Sequence, residues 1–136
     1  FFYGTLIDPD IRRLVLAGRT LAVEPASLAG WRRVALPGVS YPTIVVDPAG
    51  CVSGALARGA DADACRRLRR YEGRQYRQIT AIVNDAEGGA VSARVFVAPG
   101  KSSAPDWEFE SWLRRHKQRV QTILRRGVRP AAAAGL

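Results

Sequence analysis

Residues that bind metals or form disulfides are scarce in this chain, which has one histidine, two cysteines and no methionine. A structural zinc site needs about four His or Cys ligands. His116, Cys51 and Cys65 are too few and too far apart in sequence to provide them. Two isolated cysteines are also typical of reduced residues that pack in an interior. We therefore expect neither a metal site nor a disulfide.

Long apolar runs are absent as well, because no stretch approaches the roughly 20 residues that a membrane helix requires. Charged residues occur early in the chain, so no signal peptide is predicted and we expect a cytoplasmic protein. The missing methionine predicts that the native chain begins a few residues before Phe1. With 136 residues, 47% of them hydrophobic, we expect one domain over residues 1–128 and a frayed tail over residues 129–136.

Lysine is rare among the basic residues, since only Lys101 and Lys117 occur among 21 Lys and Arg residues. Against 12 acidic residues the net charge is +9, which raises the hypothesis of a nucleic-acid accessory protein. However, abundant Arg and Ala are typical of a GC-rich genome, and the chain has no RNP-like string of basic and aromatic residues. Nucleic acid is therefore not an expected partner, and this function ranks third among the alternatives.

The hydrophobic pattern predicts about six strands and three helices. The strands are expected at residues 1–3, 26–36, 43–46, 51–57, 78–83 and 91–97, and the helices after Asp8, after Asp61 or Asp63, and over residues 107–126. The segment Asp47-Pro48-Ala49-Gly50 is a favourable turn, so the strands on either side of it are expected to form a hairpin. This pattern favours an α+β fold with a small, mostly antiparallel, barrel-like sheet, flanking helices and a C-terminal amphipathic helix.

The first six residues are predicted to end a buried strand in a tight turn. Tyr3 is followed by Gly4, Thr5 and Leu6, and a glycine after a strand allows main-chain N–H groups to approach a ligand closely. The sequence motifs of serine hydrolases, phosphate-binding loops and dinucleotide-binding folds are absent. His116 lies on the apolar side of the last predicted helix, where a packing role is expected.

Glu72 is the acidic residue without an evident structural role. The other carboxylates fall at helix starts, in turns or in polar loops, whereas Glu72 ends a predicted helix. The helix dipole disfavours a negative charge there, and a carboxyl group with a raised pKa suits a general base near neutral pH. The alternative is a structural ion pair with Arg69, Arg70, Arg74 or Arg77, and the local sequence does not decide between the two.

Five short motifs occur in order along the chain. They are Tyr3-Gly4-Thr5-Leu6, Leu28-Ala29-Gly30-Trp31, Tyr41-Pro42-Thr43-Ile44, Val52-Ser53-Gly54-Ala55-Leu56, and Leu68-Arg69-Arg70-Tyr71-Glu72-Gly73 with Tyr76-Arg77. Together they resemble the γ-glutamylcyclotransferase-like family, in particular its small γ-glutamylamine cyclotransferase branch. The likeness spans residues 1 to about 100. One position departs from the family pattern, because Arg69 stands where the family usually has Asp.

This resemblance implies a small barrel-like sheet with flanking helices. It also implies an enzyme that releases 5-oxoproline from a small-molecule partner, a γ-glutamyl amine, amide or peptide. Glu72 falls on the family's catalytic glutamate, and the segment from Tyr3 to Leu6 falls on its substrate-binding loop. The substrate's α-amine would attack its γ-carbonyl with Glu72 as general acid and base. Such a reaction requires neither a metal nor another cofactor.

Tyr41 and Tyr76 are further candidates for substrate binding, Tyr41 at the mouth of the site and Tyr76 through its hydroxyl group. The alternatives are a local turn bond for Thr5 and a packed strand position for Tyr76. The second function hypothesis is a catalytically inactive binding or regulatory module with the same pocket, because Arg69 could alter the orientation or pKa of Glu72. The sequence leaves the leaving group and the oligomeric state open.

Overall fold

The computed structural model describes residues 1–127 of the chain. Within this range one four-stranded sheet is flanked by four α-helices and one short 3-10 helix. The elements are the 3-10 helix Thr5–Ile7, α1 (Pro9–Val15), β1 (Ala22–Ala35), β2 (Pro42–Arg58), α2 (Ala62–Glu72), β3 (Arg77–Asn84), β4 (Ala90–Val97), α3 (Phe109–Arg115) and α4 (Lys117–Arg125). The predicted α+β class with an antiparallel sheet is confirmed. The predicted frayed tail over residues 129–136 lies outside the described residues.

The sheet has the strand order β2-β1-β3-β4, and every pairing in it is antiparallel. The hairpin of β3 and β4 forms as the sequence predicts, because the Asp85 carboxylate accepts hydrogen bonds from the turn amides of Glu87 and Gly89. The strands bury a cluster of branched aliphatic side chains on one face. It includes Leu28, Ile44, Val52, Leu56, Val83 and Val95.

The predicted hairpin around Asp47–Gly50 is wrong. Residues 42–58 form the single strand β2, and both halves of that strand pair with β1. The register places Ala29 opposite Cys51 and Trp31 opposite Val46, so the turn-forming segment bulges out opposite Gly30 instead of reversing the chain. A favourable local turn sequence is compatible with a bulge, and the long partner strand β1 decides between the two.

The first three residues also differ from the prediction of a regular strand. Phe2 makes one bridge to β2, with hydrogen bonds from Phe2 N to Ala55 O (2.7 Å) and from Ala55 N to Phe2 O (2.9 Å). On its other side this segment reaches β4, where the Tyr3 hydroxyl donates to Phe96 O (2.5 Å). Within residues 1–127, β2 and β4 do not pair with each other, so the N-terminal segment fills the opening of a curled, unclosed sheet.

The predicted helix over residues 107–126 is divided into α3 and α4 at His116, whose backbone φ of −129° is not helical. Beyond the break, the Lys117 ammonium donates to Asp8 (2.9 Å) and Asp10 (2.7 Å), which begin α1. Both halves still bury apolar residues, as the periodicity predicts. Trp112 of α3 and Val120 of α4 belong to a second buried cluster. Its other members include Phe2, Leu6, Ile11, Leu16 and Leu68. None of the described helices has the length and apolar character needed to span a membrane.

Candidate active site

A pocket with about 500 Å³ of empty space, including the solvent at its mouth, lies between the N-terminal segment, the end of α2 and the start of β2. Its walls are mostly aromatic. The lining residues are Phe1, Phe2, Tyr3, Gly4, Thr5, Leu6, Tyr41, Pro42, Tyr71, Glu72, Tyr76 and Phe96. The fold therefore brings together every site residue predicted from the sequence, although the functional role of each one stays a prediction.

The loop after Tyr3 lines this pocket and carries unpaired backbone amides. Residues Thr5–Ile7 form a 3-10 helix whose carbonyls at Gly4 and Thr5 accept from Ile7 N (3.1 Å) and Asp8 N (3.2 Å). Among the described residues, the N–H groups of Gly4, Thr5 and Leu6 donate to no acceptor, as is usual for the first residues of a helix. The binding of a ligand by these three amides stays a prediction.

Little space is left for a side chain at position 4. A Cβ atom on Gly4 would lie 3.1 Å from Pro42 Cγ, at the start of β2. This contact is tighter than ordinary van der Waals packing, so a larger residue would require a small shift of the Pro42 ring or of the loop. The close approach of this loop to a ligand stays a prediction.

Helix α2 places Glu72 opposite this loop. The Asp61 carboxylate caps the helix by accepting from Ala64 N (2.9 Å), and Gly73, at φ +84°, ends it. Both ends follow the predicted capping pattern. Because Glu72 is the last residue of α2, its side chain leaves the helix where the pocket opens.

The Phe1 ammonium group is the positive charge near the Glu72 carboxylate, and no Lys or Arg side chain of the described residues pairs with that carboxylate. Within the part of the chain that the structure describes, no Lys or Arg nitrogen lies within 4.0 Å of it. The alternative of a structural ion pair is therefore wrong. Arg69, the position that departs from the family pattern, donates to the Gln78 side chain (2.9 Å) instead.

Desolvation in the pocket raises the pKa of Glu72 to about 8. By surface area the residue as a whole is partly exposed, but its carboxyl group faces aromatic walls that replace most of its hydration. The sequence predicted this direction from the helix dipole, whereas burial is the cause that the structure shows. A carboxyl group of this kind exchanges its proton near neutral pH, as a general acid or base must.

The tyrosine hydroxyls around the pocket are already hydrogen-bonded within the protein. The Tyr76 hydroxyl donates to Pro42 O (2.5 Å), and the Tyr41 hydroxyl accepts from Gln75 Nε2 (2.7 Å). Burial raises the pKa of Tyr3 and of Tyr76, and the nearby Glu72 charge adds to both shifts. Tyr76 is thus partly buried just before β3, close to the packed strand position that was the alternative to a binding role. Its hydroxyl oxygen can still accept a hydrogen bond.

Tyr71 is the site residue that the sequence interpretation missed. Its hydroxyl oxygen lies 2.6 Å from Thr5 Oγ1, and burial raises the pKa of Tyr71 so that the phenol stays neutral. Successive helix residues point about 100° apart, so neighbours in sequence are not expected to line one pocket. The only available signal was the position of Tyr71 next to Glu72.

No resident ion is implied by the side chains of residues 1–127, because no three His, Cys, Asp or Glu residues in that range are arranged to hold a metal. Glu72 is the one pocket-lining residue in this range with a charged side chain, and the Phe1 ammonium group lies near it. The chemistry available there is thus proton transfer by Glu72 and hydrogen bonding by the loop amides and tyrosine hydroxyls.

Comparison with known proteins assigns this chain to a family. Residues 1–114 match the family described as "Gamma-glutamyl cyclotransferase, AIG2-like". The chain belongs to this family. Among its relatives, AIG2-like protein A of Arabidopsis thaliana is 33% identical over 124 residues, which is 88% of this chain and 74% of that protein. Protein AIG2 C of the same plant is 28% identical over 130 residues, which is 93% of this chain and 78% of that protein.

Solved structures agree with this family membership. A solution structure of an Arabidopsis thaliana protein superimposes with a TM-score of 0.70 at 27% identity, covering 93% of this chain and 79% of that one. A structure titled "Gamma-glutamyl cyclotransferase" has a TM-score of 0.62, covering 92% of this chain and 84% of that one. At 15% identity this second likeness shows the fold alone. Family membership indicates an enzyme of the cyclotransferase type that binds a small-molecule substrate.

Proposed function

We propose that this AIG2-like chain releases 5-oxoproline from a γ-glutamyl amine, amide or peptide. The observation that carries the proposal is the pairing of two features in one pocket. Glu72 has no Lys or Arg partner among the described residues, and it lines the same pocket as Gly4, Thr5 and Leu6, whose amides donate to no described acceptor. A proton acceptor and a set of fixed donors are what an intramolecular acyl transfer needs.

The reaction begins with the substrate's α-amine, which is protonated at neutral pH and cannot attack in that form. Glu72 takes a proton from the ammonium group, and the freed nitrogen attacks the γ-carbonyl carbon. A five-membered ring closes as the bond from this carbon to the leaving nitrogen breaks. Glu72 then returns a proton to the departing amine. The second proton that the ring nitrogen loses also goes to this amine, which leaves as an ammonium ion, so the carboxyl group ends the cycle as it began.

The loop amides hold the substrate in a reactive conformation. Free N–H groups at Gly4, Thr5 and Leu6 would bind the substrate's α-carboxylate or the oxygen of its γ-carbonyl. Because the ring closure is unimolecular, fixing the reactive conformer contributes part of the roughly 7–11 kcal/mol available from proximity. Tyr41 and Tyr76 would line the side of the pocket through which the leaving group departs.

The competing hypothesis of an inactive binding module rested on Arg69. The Arg69 guanidinium is exposed and donates to Gln78, and in residues 1–127 it does not pair with Glu72. The substitution at this position therefore leaves the carboxyl group available for proton transfer. This geometry favours the enzyme over the inactive module.

The test is a 5-oxoproline release assay over a panel of γ-glutamyl amines, amides and peptides. Wild-type protein is expected to turn over at least one of them, and Glu72→Gln is expected to lose at least about a hundredfold in kcat, the scale of general acid–base catalysis. Glu87→Gln, in the exposed β3–β4 turn, is the matched control. If the wild-type protein binds a panel compound but does not turn it over, the enzyme hypothesis is rejected in favour of the inactive binding module.

A further inference from the structure

Arg33 contacts the segment that leads into the amide-bearing loop, which consists of Gly4, Thr5 and Leu6. Arg33 itself is not among the residues that line the pocket. Its Nη1 donates to Tyr3 O (2.9 Å) and its Nε to Trp107 O (3.2 Å). The guanidinium carbon also lies 5.2 Å from the centroid of the Trp107 ring. These contacts fix Arg33 in one orientation, with its charge directed at the loop.

The charge of Arg33 is not neutralised by a salt bridge. Arg33 is partly buried, and none of the carboxylates that the structure describes lies within 4.0 Å of its guanidinium. Burial lowers the pKa of Arg33, and Asp106 and Glu108 oppose this shift from a greater distance. An arginine remains charged in spite of such a shift. A neutral donor would satisfy the same carbonyls without the cost of partly burying a cation.

The carbonyl that Arg33 binds belongs to the peptide group whose N–H is free in the pocket. The Tyr3 carbonyl and the Gly4 amide are the two ends of one planar unit. A cationic donor on the carbonyl polarises this unit, and chains of hydrogen bonds strengthen one another in this way. Arg33 therefore makes the Gly4 N–H a stronger donor and places positive charge behind it.

A second arginine contacts the carbonyl groups of the same loop. Arg12 Nη1 donates to Leu6 O (2.9 Å) and Ile7 O (3.2 Å). Among the described residues neither guanidinium forms a salt bridge, and carboxylates at a greater distance act on both, Asp8 on Arg12 and Asp106 and Glu108 on Arg33. What distinguishes Arg33 is its contact with the peptide group that leads into Gly4.

An anionic ligand needs such a cation here. Glu72 is the one residue with a charged side chain that lines the pocket in the described range, and an ionised Glu72 would repel a second carboxylate. On the basis of the proposed function, we propose that Arg33 is a positioning residue that raises the affinity of the loop for the substrate's α-carboxylate. It acts through the Tyr3–Gly4 peptide group and does not itself touch the substrate.

The experiment compares two probes that differ only in this group. 5-Oxoproline carries the carboxylate of the product, and 5-oxoprolinamide replaces it with a neutral amide. Their dissociation constants are measured by titration calorimetry or NMR for wild type, Arg33→Met, Arg33→Lys and the control Arg32→Met. Arg32 is adjacent in sequence but binds Asp106 and the carbonyl of Ala104 (3.2 Å) instead.

We expect Arg33→Met to weaken 5-oxoproline binding about tenfold, the scale of one partly screened charge interaction. Binding of 5-oxoprolinamide should change less than about twofold, and Arg33→Lys should recover part of the loss. In turnover assays Arg33→Met should raise KM with little change in kcat, because the substrate's α-carboxylate has the same charge in the ground and transition states. Arg32→Met should leave both dissociation constants unchanged.

A merely structural role would weaken both probes by the same factor, and that result would overturn the inference. So would equal effects of Arg32→Met and Arg33→Met, or a wild type that binds the acid no more tightly than the amide. The release assay on the γ-glutamyl panel decides the proposed function separately. An active enzyme without carboxylate discrimination by Arg33 would retain the function and reject this role.

Discussion

The hydroxyl oxygens of Thr5 and Tyr71 lie 2.6 Å apart although 66 positions separate the two residues in sequence. Thr5 is buried in the amide-bearing loop, and Tyr71 is followed directly by Glu72 at the end of α2. The bond therefore joins the two halves of the candidate active site. It fixes the distance between the loop amides and the carboxyl group more directly than any other side-chain contact described above.

We expect Tyr71→Phe to loosen this junction. The substitution keeps the ring but leaves the buried Thr5 hydroxyl without its partner, so the free energy of unfolding should fall by about 1–3 kcal/mol. If the proposed function holds, kcat should fall more than substrate affinity, because the variant disturbs the placement of Glu72. Urea denaturation and 5-oxoproline release measure the two effects.

Tyr41→Phe is the matched control for this prediction, since it removes an exposed hydrogen bond to Gln75 at the pocket mouth. It should change stability by less than about 0.5 kcal/mol. An unchanged kcat and stability in Tyr71→Phe would show that the Thr5–Tyr71 bond does not hold the site together.

The raised pKa of Glu72 predicts a pH-dependent stability. An unfolded glutamate has a pKa near 4.3, whereas the folded value is about 8, so the folded protein binds this proton more tightly. The contribution of this group is therefore fully present below about pH 4 and is lost as the pH rises to about 8. Its steepest slope is about 1.4 kcal/mol per pH unit.

Glu72→Gln removes this titration and isolates it from the other groups. The difference in the free energy of unfolding, variant minus wild type, should rise between pH 5 and pH 8 and then level off. Urea denaturation at pH 5, 6, 7, 8 and 9 measures it, with Glu87→Gln as the exposed control. A difference that stays constant over this range would mean that the folded pKa of Glu72 is near its ordinary value.

Gly54 is required by the approach of the N-terminal segment to β2. A Cβ atom at this position would lie 2.1 Å from Phe2 O and 2.7 Å from Phe1 Cζ. Both contacts are far shorter than van der Waals distances, so Gly54→Ala must displace the segment that forms one wall of the pocket. We expect a loss of about 1–3 kcal/mol in the free energy of unfolding.

Thermal denaturation of Gly54→Ala, with Ser53→Ala at the exposed neighbouring position as control, measures this effect. The control should melt within a degree or two of the wild type. If the two variants melt at the same temperature, residues 1–3 do not pack against β2 as described.

Much of the fold could be predicted because its causes are local. Asp61 and Gly73 bound α2 as the capping pattern predicted, and the Asp85 turn joins β3 to β4. The two main errors arose where distant pairing overrides local preference. Residues 47–50 favour a turn, but β1 pairs with both flanks, and the apolar pattern runs through His116 although the helix is broken there.

The candidate site was predictable in its residue types and not in its geometry. The motifs around Gly4 and Glu72 marked a backbone approach and an unusual carboxylate. Tyr71 and Arg33 could not be selected in this way, because their contacts with Thr5 and the Tyr3 carbonyl depend on which elements pack together.

The sequence by itself was sufficient to predict the helix ends, the amphipathic helix faces and the glycine that begins the amide-bearing loop. It was also sufficient to recognise the family resemblance. Tertiary packing alone decided that Glu72 lines the same pocket as that loop without a Lys or Arg partner in residues 1–127 and that its pKa rises to about 8. The physical reason is that a carboxyl group's proton affinity depends on the water and charges around it. Those surroundings come from segments far apart in sequence and are formed only when the chain folds.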